Sequence, residues 1–309
     1  MKIPFTKMHG LGNDFILIDS RHRKFDDLHE LSKTLCHRRF GVGADQMLLL
    51  FDSRDADFMM RIFNADGDEV EMCGNGIRCL AKYIWERNLS DKKILSIETL
   101  GGIIRPERSG DMVRVDMGEP VFEPEKIPVK IGQKSRVKSQ KSDFPLPTDN
   151  PPTPPLEKGG KGGFAKGGRG GIIDYPLRIE DREFKITCVS IGNPHAVIFL
   201  ENLSQFPVPY YGSLIENHFF FPKKTNVEFI EVLTPKEIKM RVWERGSGET
   251  MACGTGASAA AVASSIKGLT ERNVTVHLIG GDLIIEWAGN NHIYMTGPAV
   301  EVFEGIINI

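Results

Sequence analysis

Cysteine is scarce. Five in 309 residues, an odd number, excludes the disulfide framework of a small secreted domain. Long apolar runs are missing too, since no stretch approaches the roughly 18 residues that a membrane span needs. Neither sign of charge dominates. With 39 Lys and Arg against 41 Asp and Glu, no net field draws the chain to nucleic acid or to an acidic membrane. The opening MKIPFTKMHG has no apolar core followed by small residues, so no secretory signal is expected. HGLG at 9–12 is not a GxGxxG loop and no GK[ST] follows CGNG, which excludes the common nucleotide motifs. What remains, at 40% hydrophobic and 26% charged residues, is a reduced, cytoplasmic globular protein. At about 150 residues per domain the length points to two domains.

One segment stands apart. Residues 134–171, KSRVKSQKSDFPLPTDNPPTPPLEKGGKGGFAKGGRGG, are rich in Pro, Gly, Lys and Ser. Too few apolar groups are present to offset the entropy of ordering, so a flexible insert is expected. Its KGG and RGG repeats resemble basic single-strand-binding tails, but Phe164, the one aromatic within those repeats, is too little aromatic surface for base stacking. The expected domains are 1–130, an insert at 131–175, and 176–309.

On either side of the insert the chain repeats itself. Shifted by 180 residues, GNDFILI at 12–18 meets GNPHAVI at 192–198, Asp45-Gln46 meets Thr225-Asn226, and Arg61–Asn64 meets Arg241–Glu244. Cys73-Gly74-Asn75-Gly76 meets Cys253-Gly254-Thr255-Gly256 in the same register. After a one-residue slip, Gly101 meets Gly280 and Gly118 meets Gly297. An internal duplication gives two pseudo-symmetric halves. The cleft between such halves is a favoured ligand site.

Short, Gly-bounded apolar segments at 47–51, 61–64, 94–100 and 113–118 predict strands, with counterparts in the second half. Helices are expected at 26–38, 75–88 and 255–267. The last is Ala-rich, which suits burial at close approach. Strands outnumber helices and often follow one another directly, so the fold class is α+β, not a doubly wound parallel sheet.

Both CGxG motifs stand just before an expected helix. A thiol at a helix N-terminus is expected to have a lowered pKa, and the glycines behind it expose N–H groups that can bind a carboxylate. If the halves face each other, two thiols approach one bound carboxylate from opposite sides. Inverting a carbon beside a carboxylate needs a base on one face and an acid on the other, and the opposed N–H donors would stabilise the charge that develops. Other uses of cysteine fit less well. Zinc held by Cys73, Cys79, His9 and His37 has poor spacing and no CxxC. A cysteine protease needs one thiol, not a matched pair. A redox or metal-sensing module built on Cys73 and Cys253 remains a rival class. Cys36, Cys79 and Cys188 lie in apolar patterns and are expected in the core, while His9 is expected to be structural.

At this point the chain resembles the diaminopimelate epimerase family. The resemblance rests on MHGLGNDF (8–15), NADGDEVEMCGNGIRC (64–79), GNPH (192–195), TNVEF (225–229) and WERGSGETMACGTGASA (243–259), which span nearly everything but the insert. It implies two similar domains, each a β-sheet wrapped around a central helix with the active site in the cleft, commonly in a homodimer. It implies interconversion of LL- and meso-diaminopimelate without a cofactor or metal, in lysine and peptidoglycan-precursor synthesis. By the same resemblance Cys73 and Cys253 are the proton-transfer thiols. Gly74, Asn75, Gly254 and Thr255 hold the reacting carboxylate. Asn13, Gln46, Asn64, Asn193, Asn226, Glu244 and Arg245 contact substrate, and His195 and Glu244 tune the thiols. A proline or hydroxyproline racemase of similar design would not need the Glu244-Arg245 pair. The partner implied is a small molecule, with neither nucleic acid nor membrane.

Overall fold

The computed structural model describes residues 1–71, 73–130, 171–180 and 182–309. The chain opens with strands Lys2–Gly10 (β1) and Asn13–Asp19 (β2), helix Leu28–Cys36 (α1), strands Gln46–Phe51 (β3), Phe58–Asn64 (β4) and Glu69–Val70 (β5), and helix Gly74–Glu86 (α2). Strands Ile97–Thr99 (β6), Gly102–Ile104 (β7), Glu107–Ser109 (β8) and Met112–Asp116 (β9) follow. After Tyr175–Ile179 (β10) the order recurs, as Arg182–Ser190 (β11), Pro194–Phe199 (β12), Val208–Glu216 (α3), Asn226–Thr234 (β13), Glu237–Glu244 (β14), Gly248–Thr250 (β15) and Gly254–Ile266 (α4). The chain ends with Asn273–Leu278 (β16), Gly281–Trp287 (β17), Ile293–Gly297 (β18) and Val300–Asn308 (β19).

The duplication holds at the level of hydrogen-bond register. β2 runs parallel to β3 with Phe15 opposite Gln46, and β12 runs parallel to β13 with His195 opposite Asn226. β3 and β4 pair Met47 with Phe63, and β13 and β14 pair Val227 with Trp243. Each of these partners stands 180 residues from its counterpart. The slip to 179 appears where expected: Phe58 pairs with Ile97 and Ile238 with Val276.

Two compact units result, and they do not follow linear halves. Residues 1–118 gather with 280–309, and 119–279 form the other unit. The boundaries expected at 130 and 176 are therefore drawn differently, for a reason visible in the pairing. β1 needs a neighbour on its outer edge and takes the chain's last strand, β19, whereas β11 takes its own preceding strand, β10. Of the expected insert, 131–170 lie outside the described residues. Residues 171–175 belong to the second unit, where Ile172 is buried and its carbonyl accepts from the Cys188 N–H at 2.9 Å.

In the first unit β19-β1-β2-β3-β4-β6-β7 form a sheet, with β5 on β4. α1 covers one face, resting on a cluster that includes Ile16, Ile18, Met47, Leu49 and Phe63. Alternation turns Phe15 and Leu48 to the other face, against Gly76 of α2. A sheet covered on both faces needs continuous apolar strands, which is why QMLLLF has no polar alternation. Each such leucine contributes about 1.5–3 kcal/mol by its burial. α2 touches β1, β2, β3, β4, β9 and β19, so the strands wrap it.

The second unit repeats the plan with β10-β11-β12-β13-β14-β16 and β15 on β14. α4 touches β11, β12, β13, β14 and β16, and its residues Gly256 to Ser264 are all buried. α3 lies over a second core containing Ile198, Phe206, Ile215, Phe220 and Phe229. This helix is not marked in the sequence, because VPYYGSLIE has no side-chain cap, follows a proline, and lacks a polar stripe. Among the described residues no helix is long and apolar enough to cross a membrane.

Candidate active site

Cys73 and Cys253 occupy the same local position. Each is the N-cap of a 13-residue helix with extended backbone, φ −139° and ψ 116° at Cys73, φ −128° and ψ 114° at Cys253. The Gly at N1 begins the helix, so the first amides of α2 and α4 have no carbonyl partner within the helix.

In the first unit a two-residue turn aims the first side chain. Leu11 and Gly12, with φ of 58° and 88°, link Gly10 to its paired partner Asn13, as a tight hairpin with positive φ at both positions requires. Asn13 Oδ1 accepts from Asn75 Nδ2 at 3.2 Å and lies 3.8 Å from Cys73 Sγ. Asn13 Nδ2 donates to Asp45 at 3.0 Å. The Cys73 sulfur accepts from the Gly76 N–H at 3.4 Å. Next to Asp45, Gln46 donates to Asn64 Oδ1 at 2.8 Å, and Gln46 Oε1 is buried without a hydrogen-bond partner among the described residues. The predicted residues Asn13, Gln46, Asn64, Cys73, Gly74 and Asn75 thus gather where β2 and β3 begin, β4 ends and α2 starts.

The second unit holds a more charged group. His195 Nδ1 is 2.7 Å from Glu228 Oε1, and Nε2 is 2.9 Å from Asn193 Oδ1. Asn226 Oδ1 accepts from the Arg245 backbone N–H at 2.9 Å, which ties the β13 start to the β14–β15 turn. Thr250 donates to Glu244 at 2.5 Å. Cys253 Sγ lies 3.5 Å from Thr255 Oγ1. The exposed Arg245 guanidinium reaches the Lys223 carbonyl at 3.4 Å and forms no ion pair among the described residues. The predicted residues Asn193, His195, Asn226, Glu244, Arg245, Cys253, Gly254 and Thr255 are brought together.

One expectation is reversed. A helix N-terminus by itself lowers a thiol pKa, but Cys253 is pushed well up, first by burial, then by the Glu244 and Glu228 carboxylates. The dipole contributes tenths to about one kcal/mol where exposed, less than the loss of water around a thiolate backed by two acids. Burial also raises Glu244. Cys36 rises to about 11 and Cys79 to about 12 through burial, as suits core thiols.

Sequence reasoning missed Glu228, Arg78 and Glu216. Glu228 sits two residues from Asn226 in the buried strand NVEFIEV, where an acid needs a partner. Arg78 interrupts the apolar face of α2. Glu216 accepts from Trp243 Nε1 at 2.8 Å and the Gly246 N–H at 3.0 Å, which braces the turn carrying Arg245.

Known proteins resemble this chain in sequence and in fold. The family profile described as diaminopimelate epimerase matches residues 5–123 and 187–302. A protein of that name from Pelotomaculum thermopropionicum is 50% identical, covering 97% of each chain. Another from Acetivibrio thermocellus is 46% identical over 99% of this chain and 98% of its own. Among solved structures, a Bacillus anthracis phenazine biosynthesis protein of the PhzF family superimposes with a TM-score of 0.65 at 16% identity, covering all of both chains. A hydroxyproline epimerase from Agrobacterium vitis gives a TM-score of 0.63 at 13% identity over 99% of this chain and 92% of that one. These likenesses show a shared α+β fold. The chain belongs to the diaminopimelate epimerase family and is an amino-acid epimerase of the isomerase class.

Proposed function

We propose that this epimerase interconverts LL- and meso-diaminopimelate by two-base proton transfer between Cys73 and Cys253, without a cofactor. The observation that carries the reading is the repeated cysteine cap, one thiol at the start of each 13-residue wrapped helix. One thiolate removes the α-proton and the other thiol delivers a proton to the opposite face. The roles exchange for the reverse reaction. Amides of Gly74, Asn75, Gly254 and Thr255 hold the reacting carboxylate, where charge accumulates in the transition state. Arg245 grips the distal carboxylate, which its fork suits, and Glu244 takes an ammonium group. Asn13, Gln46, Asn64, Asn193 and Asn226 position the substrate, and His195 and Glu244 set the thiol protonation.

The product would enter lysine and peptidoglycan-precursor synthesis in the cytoplasm. The working form would be a homodimer with a small molecule as its partner, not nucleic acid or membrane.

The test is purified protein with LL-diaminopimelate in D2O. Formation of the meso isomer with deuterium at the inverted carbon supports the reading. Inversion of L-proline alone would replace the substrate assignment with a racemase of the neighbouring kind.

A further inference from the structure

Arg78 is the largest fully buried side chain among the described residues, and it forms no ion pair among them. Its Nε donates to the Pro298 carbonyl at 3.2 Å and Nη1 to the Gly74 carbonyl at 3.4 Å. Nη1 also lies 3.5 Å from Met295 Sδ, and Nη2 donates to Asn75 Oδ1 at 3.0 Å. Charged side chains nearby on α2 and on the strands that wrap it are paired, as Lys7–Asp14, Arg61–Glu69, Lys82–Glu86, Arg87–Glu301 and Arg114–Glu286. A desolvated guanidinium without a carboxylate is unfavourable unless something in its surroundings uses the charge. The backbone packs closely around it, since a Cβ on Gly10 would come within 3.1 Å of Arg78 and one on Gly297 within 3.3 Å.

The Arg78 hydrogen bonds lead to the thiol. With Asn75 Oδ1 held by the guanidinium, Asn75 Nδ2 turns to Asn13 Oδ1 at 3.2 Å. The other end of that amide is fixed by Asp45, itself held by Arg38 at 2.6 Å. Asn13 therefore cannot flip without losing a contact at each end, and its oxygen stays 3.8 Å from Cys73 Sγ. At the matching place in the second unit stands Ser258, which donates to the Gly254 carbonyl at 2.9 Å and carries no charge.

We propose that Arg78 is a positioning residue for Cys73. Through Asn75 it fixes the amide of Asn13, and behind the start of α2 it sets a buried positive charge whose counter-ion is a thiolate or a bound carboxylate. This deepens the reading of Cys73 as an acid–base group and rests on it.

The test is the rate of iodoacetamide alkylation at Cys73 in the full-length chain at pH 7.5, measured by peptide mass spectrometry, with Cys253 in the same sample as the internal reference. R78M lowers the Cys73-to-Cys253 ratio about tenfold, the effect of one pKa unit. R78K keeps the charge and holds the ratio within about threefold, while kcat/KM falls because an ammonium cannot hold Asn75 and the Gly74 carbonyl together. A folded R78M with an unchanged ratio overturns the proposal. If R78M fails to fold, R78Q and N75A are expected to lower the same ratio, and no change in either overturns it. Alkylation needs no substrate. A wild-type protein that leaves diaminopimelate untouched but shows the R78M shift would overturn only the proposed reaction.

Discussion

His195 Nδ1 lies 2.7 Å from Glu228 Oε1, and both side chains are fully buried. In the first unit, 180 residues earlier, the same two places hold Phe15 and Leu48. Glu228 backs onto Gly256, and Phe15 and Leu48 onto Gly76, each glycine being the third residue of a cysteine-capped helix. The duplication thus keeps the scaffold and changes its electrostatics. Behind the start of one helix lies a carboxylate held by a histidine, behind the start of the other lies hydrocarbon, with Arg78 further along. Under the proposed two-base chemistry the thiols do not need equal surroundings, since the reaction would start with one proton between them.

The raised pKa of Cys253 gives a first expectation. Burial is its largest cause, Glu244 the next and Glu228 the third. Replacing Glu244 by Gln removes a negative neighbour, lowers the thiol pKa and raises its thiolate fraction. Alkylation of Cys253 at pH 8 should quicken several-fold in that variant, while turnover falls. An unchanged alkylation rate would show that Glu244 does not act on this sulfur.

Gly76 and Gly256 offer a paired comparison. A Cβ at Gly256 would meet Glu228 Oε1 at 2.8 Å and Cys253 Sγ at 3.3 Å, whereas one at Gly76 would meet the flexible end of Leu48 at 3.1 Å. A buried carboxylate fixed by His195 cannot yield, but a leucine methyl can shift. Gly256→Ala should cost about 1–3 kcal/mol in urea unfolding and most of the activity. Gly76→Ala should cost clearly less stability. Equal losses would contradict the packing argument.

Alkaline stability follows from the core thiols. Burial raises Cys36 to about 11 and Cys79 to about 12, from an ordinary value of 9.0. A group whose pKa is higher folded than unfolded adds stability that is complete below its unfolded pKa and is lost as pH rises toward the folded one. Thermal unfolding temperature should therefore fall between pH 9 and about pH 11, and less steeply in Cys36→Ala. A flat profile in that window would refute the assignment.

Much of this was legible in the sequence because it was written twice. Cys73 and Cys253 declared themselves by a shared register, α2 by apolar residues at helical spacing, and α4 by its run of alanines. Helix α3 left no such mark, since Pro207 precedes it and its residues are apolar nearly all round. Glu228 and Arg78 read as ordinary charges until burial gave them meaning. The pairing of β19 with β1 escaped a linear reading because strand exchange depends on an open sheet edge, not on local pattern. The Cys253 shift escaped because a helix terminus is visible in sequence and the carboxylates folded against it are not.

Each cysteine should be indispensable in its own way. Cys73→Ala and Cys253→Ala should each lower epimerisation by several orders of magnitude, since neither thiol covers both faces of a carbon. Serine variants should exchange the α-proton for solvent deuterium unequally from the LL and meso isomers. Near-normal turnover in either Ala variant would rule out two-base chemistry.

The most direct measurement is a crystal structure with a diaminopimelate analogue bound. The account requires Cys73 Sγ and Cys253 Sγ on opposite sides of one α-carbon, each within about 3.5 Å of it, with the carboxylate on the amides that follow the two cysteines. A ligand seated on one sulfur alone, with the other remote from it, would contradict the central claim.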